Sequence, residues 1–349
     1  MMNKETAFKN LITPNHNDKI LLLTHNDADG SGASIVIKSI FPNVTTKHCT
    51  NSNMSYEIKN AVCNESDNYD FIFACDISCN EDDATIIQSD PNHKKLLILD
   101  HHITAEHLNK YSWAFIESNI IDDSRLTAYY PNNILCKSSG ASLMFDYMDY
   151  NGFTKHVKNI YLLIEIVHLI AAYDTWDWVN VFEKDITFEQ FNILFNIYKP
   201  DMFEEKMLEH INSSSTSVFD ETDKLLFKIE NNRINDYLSN IQKSFTTGNM
   251  MLAEKYHSIV FCTTDNYLSQ TFELMKTQYP DYDIYLINYG TGIALRATKP
   301  DINVGKIAKM FGGGGHPGAS GLKIPFEYQK ELIEKTFSST LYVDEKTQH

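Results

Sequence analysis

Three short apolar runs in the first hundred residues each deliver an acidic residue or a histidine at their C-terminal end. Leu21–Thr24 runs into His25, Asp27 and Asp29. Tyr69–Ala74 leads through Cys75 into Asp76, and Lys95–Leu99 leads into Asp100, His101 and His102. Runs of this length and composition are those of strands buried on both faces. In an open parallel sheet, ligands gather outside the carboxyl ends of the strands, so three such ends can share one crevice. Alternate residues of an extended segment point the same way, so His25, Asp27 and Asp29 are expected to aim one imidazole and two carboxylates at a common point. Asn, Asp and Gly are also ordinary turn residues. The recurrence at three strand ends is what argues for a divalent-metal site.

The segments between these runs read as helices. After the strand Lys19–Thr24, Ser31 is placed to cap a helix to about Ile40, with Pro42 beyond it. Val44–Thr50 reads as a strand, Ser55–Val62 and Glu81–Gln88 as helices, and Trp113–Ile116 as a further strand. Strand–helix alternation of this kind predicts an α/β domain with a doubly wound, mainly parallel sheet. Helices follow. Ser138 and Ser139 can cap one through Met148, and apolar residues from Ile160 to Ala171 recur at helical spacing, ending near Asp174 and Asp177. Two carboxylates at a helix C-terminus are unfavourable beside its carbonyls unless a cation lies near. Glu165 and His168, three apart, read as structural. The expected organisation is a catalytic domain over 1–185, a helical connector over 186–248 and a smaller α/β domain over 249–349.

The last region reads as strands Tyr256–Thr263, Tyr282–Asn288 and Gly292–Ala297, with helices Tyr267–Tyr279 and Val304–Phe311. It then enters Gly312-Gly313-Gly314-Gly315-His316. Consecutive glycines cost conformational entropy, and they let backbone N–H groups approach an anion closely. Arg296, Lys299, Lys306 and Lys309 add cations to the same region.

A net charge of −16 argues against affinity for long duplex nucleic acid through a basic surface, but not against a small phosphorylated substrate beside bound cations. The six cysteines are scattered without a CxxC pair, and no apolar run approaches a signal core or membrane span. A reduced, cytoplasmic protein is expected.

Taken in order, His25-Asn26-Asp27-Ala28-Asp29-Gly30, Asp76, Asp100-His101-His102, Asp174 and the Gly312–Gly321 stretch resemble the DHH phosphoesterases with their associated C-terminal domain. The resemblance spans about Lys19 to Leu322. It implies two divalent cations, most often Mn²⁺ with Mg²⁺ or Co²⁺ as alternatives, in a cleft between the domains. His25, Asp27 and Asp76 would hold one cation, and Asp29, Asp76, His101 and Asp174 the other. His102 would act beside the scissile phosphate, with Asp100 orienting it. Arg296, Gly313, Gly314, Gly315 and His316 would hold a substrate phosphate. Ala297 and Ser320 depart from the residues usual at those places, which bears on substrate detail.

Within the family, the chain resembles most the compact oligoribonuclease branch. This implies hydrolysis of short oligoribonucleotides or dinucleotides by a monomer or homodimer. The alternatives are a single-stranded DNA exonuclease of RecJ type and a phosphodiesterase or phosphatase on linear or cyclic dinucleotides or 3′,5′-bisphosphonucleosides. A sensor or sink that binds nucleotide without turnover is a further reading. Trp113, Trp176, Trp178 and Tyr289 are aromatic residues able to stack on bases, but Trp113 is expected in the core and Trp176 and Trp178 could equally pack a domain hinge, so they are not taken as binding residues.

Overall fold

The early apolar runs form a five-stranded, wholly parallel sheet in the order β2-β1-β3-β4-β5. The computed structural model describes residues 2–130 and 137–337, and the chain divides into two units, Met1–Phe227 and Lys228–His349. In the first unit, α1 (Lys4–Phe8) precedes β1 (Ile20–His25), α2 (Ala28–Lys38), β2 (Val44–Cys49), α3 (Met54–Cys63) and β3 (Phe71–Cys75). Next come α4 (Glu81–Ser89), β4 (Leu96–Asp100), β5 (Ala114–Ile116), α5 (Gly140–Tyr150), α6 (Ile160–Asp174), α7 (Asp177–Asn180) and α8 (Ile186–Asn212). The chain leaves β1 for β2 on one side and returns for β3 on the other. The topological switch point therefore lies at the carboxyl ends of β1 and β3, where ligands bind in sheets of this kind.

Alternation along the strands supplies two cores. Leu21, Leu23, Ile72, Ala74, Leu96 and Ile98 pack with Ile58, Ala61 and Val62 of α3, Ala84 and Ile87 of α4, and Trp113. On the other face, the Phe73 ring meets Tyr147 of α5 edge-on at 5.9 Å, and Leu22, Leu97 and Leu99 are fully buried. Each buried leucine contributes about 1.5–3 kcal/mol relative to exposure.

The structure corrects the expected start of the second helix. It begins at Ala28, with Asp27 as its N-cap accepting a bond from the Gly30 amide at 3.0 Å, so Ser31 lies inside it. The reason is tertiary: a Cβ at Gly32 would lie 2.7 Å from Ala141 Cβ and 2.9 Å from Ile170 Cδ1. Glycine there lets α2 approach both α5 and α6, so it belongs to a helix contact and not to a turn. Ser139 does cap α5, through a reciprocal capping box with Ser142.

The stretch 186–248 holds α8 and α9 (Glu221–Ile241), and the division between the units falls within α9. Helix α8 packs against α2 and α6 and bends at Lys199 (φ 62°, ψ 167°), beside Pro200, which cannot donate to the helical ladder.

The second unit contains a six-stranded sheet in the order β10-β11-β9-β8-β7-β6. Its elements are β6 (Thr246–Leu252), β7 (Lys255–Thr263), α10 (Leu268–Gln278), β8 (Ile284–Asn288), β9 (Gly292–Arg296), α11 (Val304–Met310), β10 (Gly314–His316), β11 (Ala319–Lys323) and α12 (Phe326–Phe337). Ile259, Ile284 and Leu295 pack with α11, and Val260, Cys262, Tyr285 and Ile287 pack with α10. Two features depart from the sequence reading. Strand β6 was not expected: it is an edge strand exposed along nearly its whole length, so it carries no burial pattern to read. Gly314 and Gly315 of the glycine run open the first strand of an antiparallel hairpin with β11, where the sequence reads as a loop. Of the described residues, no helix is long and apolar enough to cross a membrane. Cys136 lies outside the described residues.

Candidate metal centre

The carboxyl ends of β1, β3 and β4, the start of α2 and the end of α6 bring all eight expected side chains of the first unit into three groups, within each of which the ligand atoms lie within 4.8 Å of one another. One group is His25, Asp27 and Asp76; the second is Asp29, His101 and Asp174; the third is Asp76, Asp100, His101 and His102. The local geometry differs from the alternating-strand expectation. Strand β1 stops at His25, Asp27 caps α2, and Asp29 sits in the first helical turn. The three side chains therefore do not meet at one point: His25 and Asp27 fall in one group and Asp29 in another.

Each residue is held by local chemistry. Asp27 Oδ2 lies 2.5 Å from His25 Nδ1. Burial pushes the Asp27 carboxyl up, but His25 and the Gly30 amide more than offset it, so its pKa lies below the usual range. Asp29 accepts the amides of Gly140 at 2.6 Å and Ala141 at 3.0 Å, the first N–H groups of α5. A helix N-terminus favours such a charge. Asp76 follows β3 with φ 61°, a left-handed conformation that a non-glycine residue rarely takes without a functional reason. Its amide still pairs with the Leu99 carbonyl at 3.0 Å, which fixes it beside β4.

The electrostatics of the cluster are those of carboxylates short of a partner. Burial, followed by Asp29, Asp27 and Asp174, raises the Asp76 carboxyl well above its ordinary value. Asp174, with its side chain 31% exposed, is raised well above it too, by its loss of water and then by Asp29 and Asp27. His101 Nε2 faces Asp76 at 3.2 Å, Asp174 at 3.6 Å and Asp29 at 3.8 Å, and burial lowers the pKa of this imidazole. A neutral ring has at most one N–H to offer three carboxylates. Among the described residues, none of Asp27, Asp29, Asp76 and Asp174 pairs with a lysine or arginine, and Asp76 Oδ2 is buried without a hydrogen bond. A set of oxygen and imidazole donors with excess negative charge fits borderline-hard divalent cations.

His102 is placed differently. Its side chain is 53% exposed, and Nδ1 lies 2.7 Å from Oδ1 of the fully buried Asp100. That hydrogen bond raises the imidazole to about 9 and leaves Nε2 directed away from Asp100. Asp100 also accepts the amides of His101 at 2.8 Å and His102 at 3.3 Å.

Sequence reasoning missed a second layer. His48 on β2 links the His25 carbonyl, 3.0 Å from Nδ1, to Glu204 of α8, 2.9 Å from Nε2. Glu204 further accepts bonds from Ser34 and Lys38. These partners are far apart in sequence, and no local pattern joins them. Gly140 was also missed: a Cβ there would lie 2.5 Å from Asp76 Cβ. Glu165 and His168, expected to be structural, lie apart from the cluster. His168 packs among Tyr129, Tyr130, Phe182 and Phe188, and burial lowers it to about 4.

In the second unit, Arg296 shares a row across the sheet with Ala319 and His316. Its guanidinium lies 4.8 Å from the Phe272 ring centroid, and Nη1 donates to the Leu295 carbonyl at 3.0 Å. The His316 side chain lies outside the described residues. Gly313 and Gly315 have packing reasons of their own, since a Cβ at either would strike the β11 backbone, 2.2 Å from the Gly321 carbonyl oxygen or 2.6 Å from that of Ala319. Gly314 opens onto free space.

The family model described as "DHH family, N-terminal domain" matches residues 19–172, and that of the DHHA1 domain matches residues 263–342. Over 324 residues the chain is 29% identical to oligoribonuclease NrnB of Bacillus subtilis (strain 168), covering 90% of this chain and 75% of that protein. Among solved structures it is similar to an exopolyphosphatase-related protein from Bacteroides fragilis, with a TM-score of 0.49, 14% identity and 92% of each chain covered. It is also similar to PggH, a pGpG-specific phosphodiesterase from Vibrio cholerae, with a TM-score of 0.44, 14% identity and coverage of 92% of this chain and 98% of that one. A DHH-family N-terminal domain and a DHHA1 domain are thus both present, in that order along the chain.

Proposed function

We propose that this hydrolase of phosphoester bonds cleaves short oligoribonucleotides to mononucleotides with the help of two divalent cations. The observation that carries the reading is the meeting of Asp29, Asp76, His101 and Asp174 in a carboxylate-rich group that, among the described residues, has no lysine or arginine partner, with His102 beside it. Kinship with an oligoribonuclease over most of the chain supports the choice of substrate.

His25, Asp27 and Asp76 would hold one cation, and Asp29, Asp76, His101 and Asp174 the other, with Asp76 common to both. Bound there, the ions supply a water-derived nucleophile at neutral pH and offset the charge that grows on the phosphoryl oxygens. The other steps belong to the chain. Asp100 holds His102 through Nδ1, which orients the ring and leaves Nε2 to serve the departing ribose oxygen as its hydrogen-bond donor. Arg296, the backbone at Gly314 and Gly315, and His316 would supply donors for a substrate phosphate, whereas the Gly313 amide already donates to the Ala308 carbonyl at 2.9 Å. Mn²⁺ is the proposed ion, with Mg²⁺ and Co²⁺ as the comparisons to make.

The test is to incubate the purified protein with each metal and end-labelled RNAs from dinucleotides to long strands. Matched DNAs, cyclic dinucleotides and 3′-phosphoadenosine 5′-phosphate run alongside, with Asp76→Ala as control. Rapid conversion of the shortest RNAs, lost in the variant, is the expected result. Cleavage confined to long single-stranded DNA would move the chain to an exonuclease role, and tight binding without turnover would make it a sensor or sink.

A further inference from the structure

We propose that Trp176 is a stacking platform for a nucleobase of the substrate; the inference rests on the nucleotide reading above and names how that substrate is gripped. Trp176 joins α6 to α7 in the left-handed region, at φ 68° and ψ 9°. A bulky side chain takes that conformation at a cost that glycine would avoid. Burial does not offset the cost, because Trp176 is 47% exposed whereas Trp113 in the core is 2% exposed. A strained backbone that presents a large apolar ring to solvent is a poor packing solution and a good binding one.

The ring is also held in place. Trp178 stacks on Tyr173 with centroids 5.3 Å apart and planes 18° from parallel, and Trp176 stands edge-on to Trp178 at 5.8 Å and 82°. The backbone is pinned on both sides. The Trp176 amide donates to the Tyr173 carbonyl, and its carbonyl accepts from Val179 and Asn180, each at 3.2 Å. An ordered ring loses little entropy when a flat partner lands on it.

Its position suits a nucleotide. Asp174, two residues earlier, ends α6 with Oδ2 at 3.6 Å from His101 Nε2. Two residues of chain span at most about 7 Å, so the indole lies within a nucleotide's length of the cluster that would hold the scissile phosphate. The indole has only one N–H to offer a base edge, so it would read the face of the base. It would favour purines through stacking strength and tolerate sequence.

The test compares diadenylate with an abasic analogue carrying the same phosphodiester, in wild type, Trp176→Ala, Trp176→Gly and Trp176→Phe. Trp176→Gly relieves the backbone strain, so a folded protein without the ring is in hand even where alanine disturbs the turn. The preference for diadenylate over the abasic analogue, as a ratio of kcat/KM, is expected to fall roughly ten- to hundredfold in the alanine and glycine variants and to persist in Trp176→Phe. An unchanged ratio in both ring-less variants, with diadenylate still hydrolysed by wild type, overturns the stacking role and leaves the nucleotide reading intact. Equal loss on both substrates overturns it as well, in favour of a structural role. Wild type inactive on every nucleic acid removes both the reading and this inference.

Discussion

Gly140 offers a test of whether the carboxylate cluster tolerates displacement. Replacing it with alanine puts a methyl group 2.5 Å from Asp76 Cβ and 3.0 Å from both Asp76 Cα and Asp29 Oδ2. Carbon atoms rest at about 3.5–4.0 Å, so either α5 or Asp76 must move by about 1 Å. Overpacking of this kind costs about 1–3 kcal/mol, of which the better helix propensity of alanine returns up to about 1 kcal/mol. Unfolding in urea without metal should therefore show a net loss of about 1–2 kcal/mol. The larger effect is expected on function. Displacing a group shared by both proposed ion sites by about 1 Å can cost on the order of a hundredfold in rate. Mn²⁺ titration by calorimetry and cleavage of a labelled dinucleotide would be measured together. Wild-type affinity and wild-type turnover in a stably folded Gly140→Ala would refute the argument that Asp76 must stay where β3 and α5 hold it.

Other perturbations follow from the same structure. In EDTA, Asp76→Asn should raise the melting temperature, by about 2–4 °C per kcal/mol of relieved repulsion, while Mn²⁺ should no longer add stability; a fall in EDTA would mean that the cluster is not short of positive charge. Asp146 is buried, and this pushes its carboxyl up to about 7 despite Lys4 and Ser124. Its folded pKa exceeds the unfolded value, so its contribution is fully present below about 4 and is lost as the pH rises toward 7, on the order of 4 kcal/mol in all. Asp146→Asn should flatten that slope in urea titrations across the window. Glu204→Ala removes the partner of Ser34, Lys38 and His48 at 2.6, 2.8 and 2.9 Å, and should destabilise the first unit by about 3 kcal/mol in denaturant unfolding.

The parts legible in the sequence are those written locally. Apolar runs announce β1, β3 and β4, and the residues just past them announce the side chains at the switch point. Helix capping was half legible: Ser139 caps α5 as its type suggests, whereas Asp27 and Ser31 are both capping residues, and only the approach of α2 to α5 and α6 decides between them. Gly30 and Gly32 look like a turn for the same reason. A Cβ at Gly30 would lie 2.1 Å from the His25 carbonyl oxygen, a contact set by the fold and invisible in the string of letters. The His48–Glu204 link and the Gly140 contact were illegible because they join residues more than sixty positions apart. The glycine hairpin misled because a run that frees backbone for a ligand and one that packs backbone on backbone are written alike.

The bonds from Asp29 to the amides of Gly140 and Ala141 close a loop of 111 and 112 residues. Closing so long a loop costs entropy that only neighbouring contacts can repay, and sheets with such distant pairings fold slowly. The cluster, gathered from His25 to Asp174, is therefore expected to form late, once α5 and α6 have docked. Acquisition of a bound ion during refolding would then mark the completion of the whole unit, making the site a built-in reporter of its own assembly.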